Sequence, residues 1–124
     1  MTGKRVQNVY AYQPGRGDNY DEIAPFIRLW AGVVDKTFND SAAETDGVRH
    51  VSFATGPDCR LDVAKVELSP AGVSSLAGTA ADLAAQGFDR PDRKYLVWVD
   101  AYIFCGVATV KADDRPSLDN ANNG

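Results

Sequence analysis

The sequence predicts an α/β domain: an αβα-layered mixed sheet of about 4–5 strands, two main helices and an antiparallel edge strand. Three observations predict it. Two stretches repeat apolar residues at spacings of three and four, the mark of helices with one buried stripe. Short β-rich runs alternate with them. Residues 95–99 (YLVWV) are apolar without alternation, as in strands of parallel sheets covered on both faces.

The first run, residues 6–12 (VQNVYAY), reads as a strand ended by Pro14, Gly15 and Gly17. Residues 18–45 carry the longest helical pattern. Ile23, Phe26, Ile27, Trp30, Val33, Val34 and Phe38 form a stripe expected to face a core. Asp18 or Asp21 can cap this helix, and Asp46-Gly47 stops it. Pro25 is tolerable only near the helix start.

Residues 48–54 (VRHVSFA) read as a second strand. Residues 61–68 alternate in two phases, Leu61 and Val63 and then Val66 and Leu68, which predicts a bulge or an irregular strand. Residues 74–86 form the second helix. Ser74 or Ser75 caps it, Gly87 takes the left-handed position after it, and Phe88 folds back onto its last turn.

Residues 105–111 follow the buried run after a gap too short for a helical crossover. They are expected to return antiparallel at the sheet edge. Residues 113–124 (DDRPSLDNANNG) are polar. With no repeat and no linker, the 124 residues are expected to form one domain.

Composition narrows the function. A chain of this length buries roughly two-thirds of its unfolded surface. It is 44% hydrophobic and 24% charged, ordinary for a globular protein. Its net charge of −4 and the lack of a basic cluster argue against nucleic acid as a partner. No apolar run is long enough for a membrane span, so no membrane partner is expected, and residues 1–10 show no signal-peptide core.

Candidate chemistry is sparse. His50 is the single histidine, and a catalytic zinc site takes three protein ligands, so it reads as a partly buried strand residue. Asp100 ends the buried strand, where α/β proteins place functional groups, and reads as a carboxylate capping loop amides. Asp113, Asp114, Asp119 and Asn120 supply oxygens that calcium could use, but not at EF-hand spacing; a solvated turn is the simpler reading. Arg16-Gly17-Asp18 matches an adhesion tripeptide and coincides with a turn and a helix cap. There is no phosphate-binding glycine pattern, nucleophile elbow or Cys–His pairing. Cys59 and Cys105 are the two cysteines, either free thiols or one disulfide.

The segments SAAETDGVRHVSF, DRKYLVWVDA, FCGVATV and DDRPSLDNANNG resemble the front half of secreted bacterial metzincin-like (reprolysin-like) zinc metallopeptidases. The resemblance runs from about Lys4 to Gly124 and implies the N-terminal subdomain of such an enzyme. In that family the subdomain precedes the helix bearing HExxH, which this sequence lacks. No catalytic and no metal residue is therefore assigned, no cofactor is expected in this chain, and zinc belongs only to the full-length family domain. The expected function is an N-terminal subdomain inactive alone; the alternative is a non-catalytic secreted binding domain.

The resemblance further implies a secreted, extracellular setting and a peptide or protein substrate in the full-length form. It assigns Gly106, Val107, Ala108 and Thr109 to an edge strand that aligns substrate by main-chain hydrogen bonds. It also implies a Cys59–Cys105 disulfide, which could stabilise by up to roughly 4 kcal/mol. Without the rest of the domain, apolar surface near Trp98 is expected to be uncovered and to favour self-association.

Overall fold

The computed structural model describes residues 3–102, 106–117 and 119–123. Its elements run β1 (Arg5–Tyr12), α1 (Tyr20–Ala43), β2 (Val63–Glu67), α2 (Leu76–Ala85) and β3 (Arg93–Asp100), with short 3-10 turns at Pro14–Arg16 and Ala121–Asn123. All three strands are parallel, in the order β2-β1-β3. The domain is thus α/β with two helices. The described residues hold a three-stranded parallel sheet in place of about 4–5 strands, and residues 106–110 are exposed and outside any strand.

The centre of the sheet is β1. Residues 7–11 are all buried, because both crossovers start or pass beside this strand. Its side chains alternate between two layers. Val9 and Ala11 pack with Val66, Leu68 and Leu83 of α2. Tyr10 packs with Val63 and with Ala24 and Ile27 of α1.

This two-faced core explains the phase change in residues 61–68. Leu61 and Val63 join the α1 layer, whereas Val66 and Leu68 join the α2 layer. The register from Asn8↔Val63 to Tyr12↔Glu67 is unbroken, so the expected bulge is absent. A strand covered on both faces shows both phases without any slip.

Residues 48–54 do not form the expected strand. Contact with β1 is confined to the bridge Val6↔Phe53, and the loop is instead held to α1 by Asp35. Its oxygens accept from Val51 N–H at 2.6 Å and pair with His50 Nδ1 at 2.9 Å. His50 is consequently exposed rather than partly buried in a strand.

Three of the four helix ends follow their sequence signals. At the start of α1 the N-cap position is taken by Asn19 rather than Asp18 or Asp21, and Asp18, just before it, accepts the Tyr20 N–H at 2.9 Å. Asp46 takes φ 57 after its end, and Gly47 N–H returns to the Ala42 carbonyl. Ser75 caps α2 by accepting from Gly78 N–H at 3.0 Å. Gly87, at φ 89, turns the chain so that Phe88 N–H reaches the Leu83 carbonyl.

The stripe of α1 departs from expectation. Its buried residues are Ala24, Ile27 and Ala31, while Phe26, Trp30, Val33 and Phe38 are 42–56% exposed. The reason is width. A helix of about 10 Å diameter covers two strands about 4.8 Å apart. The small residues of α1 seat it over β1 and β2, and its larger apolar side chains project beyond them.

The same width argument leaves β3 only partly covered on the α1 side, where Leu96 and Trp98 are half-buried. None of its eight residues is fully buried. The most apolar run in the sequence is therefore a half-covered strand, with one ladder among the described residues, to β1.

Candidate functional site

Two features gather near β3. The first is a polar cluster at the carboxyl ends of β1 and β3. Open α/β sheets place ligand sites outside the carboxyl ends of their strands. Asp100 Oδ2 accepts from the Tyr10 hydroxyl at 2.8 Å and from Asn19 Nδ2 at 3.0 Å, and its Oδ1 accepts from Arg16 Nε at 3.1 Å. The Tyr10 oxygen in turn accepts the Asn19 N–H at 3.0 Å. The Arg16 guanidinium lies 4.0 Å from the centre of the Tyr102 ring.

The electrostatics of this cluster favour holding over proton transfer. The Asn19 amide, followed by Tyr10 and Arg16, draws the Asp100 carboxyl below its ordinary range. Burial, reinforced by Asp100, pushes the Tyr10 phenol up to about 12. The acid is thus ionised and the phenol neutral across the physiological range, and neither is poised near neutrality as a general acid or base requires. Asp100 ties the β1–α1 loop to the end of β3, through side-chain donors rather than the loop amides expected.

The second feature is apolar. Phe26 stacks on Trp30 with ring centres 5.9 Å apart, and Trp30 stacks on Trp98 of β3 at 5.3 Å. The Trp98 indole N–H donates to Asn8 Oδ1 at 2.9 Å. Asn8 is fully buried, and its Nδ2 has no hydrogen-bond partner among the described residues. This row of rings borders the partly covered side of β3. Nothing in the residue pattern of α1 alone distinguishes it from a core stripe.

A shallow crevice of about 920 Å³ lies on the other side of the sheet, bordered by Gln13, Leu68, Ser69, Val73, Asp82 and Gln86. Its polar groups are occupied. Asp82 accepts from Ser69 N–H at 2.7 Å and from the Ser69 hydroxyl at 2.8 Å, and the hydroxyl accepts from Gly72 N–H at 3.1 Å. Held between the Asp82 carboxylate and the Gly72 N–H, with no histidine beside it, Ser69 is a turn former. Ser69-Pro70 followed by Gly72 is the sequence signal for this turn.

The predicted site residues are dispersed. Gly106, Val107, Ala108 and Thr109 are exposed and in no ladder. The chain beyond them reaches the start of β3: Lys111 and Asn122 bond one another, and Asn122 O accepts from Lys94. The Arg16-Gly17-Asp18 triplet is internally engaged, with Arg16 on Asp100 and Asp18 on Lys65 at 2.6 Å. Arg115 and the Ala121 N–H hold Asp113 well below the usual carboxylate range. Its oxygens are filled by these donors, as in a self-capped turn. Among the described residues, no three acidic, His or Cys side chains gather around a common point.

The disulfide expectation is overturned. Cys59 is a free, exposed thiol at φ 62 in the turn before β2. That turn lies at the amino end of the parallel sheet, whereas the chain leaves β3 at the carboxyl end. Cys105 itself lies outside the described residues. No described helix is long and apolar enough to cross a membrane.

No family model matches this chain, and no curated protein or solved structure matches it either.

Proposed function

We propose that this chain is the N-terminal subdomain of a secreted zinc metallopeptidase-like protein, without hydrolytic activity by itself. The observation carrying the reading is the partly covered α1 side of β3, where the half-exposed rings of Phe26 and Trp30 continue from Trp98. One helix covers two of the three described strands there and leaves a strip one strand wide, which the further edge strand of a completed sheet would widen to the footprint of a second helix. A following zinc-bearing helix would complete the layer on that strip.

In the completed domain, Gly106, Val107, Ala108 and Thr109 would form the antiparallel edge strand of a sheet of about 4–5 strands and align a peptide or protein substrate. The return of the chain from Asp100 toward Lys94 has the direction such a strand requires. The alternative, a non-catalytic secreted binding domain, draws on the same open strip.

Zinc titration and a peptide-hydrolysis assay on the 124-residue chain test the inactive-alone part of the reading. Neither zinc uptake nor hydrolysis is expected. One-to-one zinc binding accompanied by hydrolysis would overturn it.

A further inference from the structure

The open edge of β3 has a self-complementary pattern. Arg5 N–H donates to the Asp92 carbonyl at 3.1 Å and Gln13 N–H to the Asp100 carbonyl at 3.2 Å. With the register between them unbroken, the even-numbered residues of β3 turn their backbone groups toward β1. In a parallel ladder the alternate residues face the other way. Tyr95, Val97 and Val99 thus present their N–H and C=O groups outward, and the described residues supply no strand to receive them.

We infer that this edge takes a second copy of the chain, by antiparallel pairing of β3 with β3 about a two-fold axis through Val97. Only outward-facing residues can form the hydrogen-bonded pairs, which limits the possible registers. In the register centred on Val97, Tyr95 lies opposite Val99 of the second copy, and Val97 lies opposite its own mate. On the α1 face, Leu96 lies opposite Trp98. At both ends Lys94 lies opposite Asp100.

The apolar residues from Tyr95 to Val99 meet one another and Lys94 meets Asp100, while Arg93, already paired with Asp92, lies opposite Ala101. Such cross-strand pairs are stabilising, and like charges in the same place are not. Lys94 bonds the Asn122 carbonyl in the single chain and has further donor hydrogens. Asp100 accepts three bonds and has room for a fourth. The product is one six-stranded sheet with no unpaired strand at its centre.

This pairing concerns the 124-residue chain, in which residues 106–109 lie in no strand, and it competes for the same edge of β3 with the antiparallel strand of the metallopeptidase reading. Sedimentation over micromolar to millimolar concentrations is expected to show a reversible monomer–dimer equilibrium. Amide exchange at Tyr95, Val97 and Val99 is expected to slow as the dimer fills. Lys94→Glu puts like charges at both ends and is expected to weaken the dimer by about tenfold or more. Val97→Pro removes the central donor pair, at an edge position where proline is tolerated, and is expected to abolish dimerisation while circular dichroism stays unchanged.

A monomer at every concentration would overturn the proposal. So would a dimer whose three outward amides exchange freely, or one that Lys94→Glu leaves unaffected.

Discussion

Trp98 joins the two layers that meet at the open side of the sheet. Its ring stacks on Trp30 at 5.3 Å, and its indole N–H reaches the buried Asn8 Oδ1 at 2.9 Å. Among the described residues the indole is the side chain that satisfies the Asn8 oxygen, and Asn8 Nδ2 has no partner. Trp98→Phe keeps an aromatic ring but removes the donor. It is expected to lower the unfolding free energy by about 1–3 kcal/mol, the cost of a buried polar group left unsatisfied. Urea denaturation measures this, and no change in midpoint would contradict the role given to Asn8.

Tyr10 predicts alkaline sensitivity. Its folded value of about 12 lies above the ordinary phenol. A group raised on folding contributes stability below its unfolded value of about 10 and loses that contribution as pH rises through the folded value. Unfolding free energy is therefore expected to fall between about pH 10 and 12, with the Tyr10 phenolate forming only as the chain opens. Tyr10→Phe is expected to flatten this region. Titration of all five tyrosines at the ordinary value, with stability constant, would contradict it.

Asp35 predicts an acid-sensitive tether. The His50 ring, then the Val51 N–H, hold its carboxyl below the ordinary range. A depressed carboxylate contributes above its unfolded value and loses the contribution as pH falls through its folded one. Residues 48–54 are expected to loosen below about pH 4. At neutral pH, Asp35→Ala is expected to speed exchange of the Val51 amide by about tenfold, the loss of one charge-assisted hydrogen bond. An unchanged exchange rate would remove the tether from the description.

Gly72 predicts a packing limit. A methyl group added there would sit 1.9 Å from Asp82 Oδ2, inside the turn that Ser69 and Asp82 build. Gly72→Ala is expected to cost about 1–3 kcal/mol, because the carboxylate must leave the Ser69 N–H to make room. Thermal melting of the variant measures the cost. An unaltered melting temperature would show that the turn yields without loss.

Cys59 predicts native-state reactivity. As an exposed free thiol it is expected to react with a thiol reagent without prior unfolding. A mass for the unreduced protein lower by two hydrogens, with Cys59 refractory to the reagent, would restore the disulfide.

The sequence made local chemistry readable where one residue carries it. Ser75, Gly87 and Asp18 act at helix ends as their types require. The positions of β1 and β3 were also legible from their apolar runs, although YLVWV suits a strand covered on both faces and no residue of β3 is fully buried. What was hidden depends on where layers end. The stripe of α1 has the period of a core helix, yet only Ala24, Ile27 and Ala31 are fully buried, since one helix cannot span three strands. Residues 48–54 have strand composition, but Asp35 captures their backbone from a neighbouring helix. Asp100 was singled out by its position at the end of β3, while its partners Tyr10 and Asn19 are defined only once β1 and β3 lie side by side.

The most direct test of the half-domain proposal is the coding sequence that continues past Gly124. The proposal predicts an in-frame HExxH on a helical pattern, whose apolar side would cover Phe26, Trp30 and Trp98. A stop codon directly after Gly124 would contradict it and favour the stand-alone binding domain.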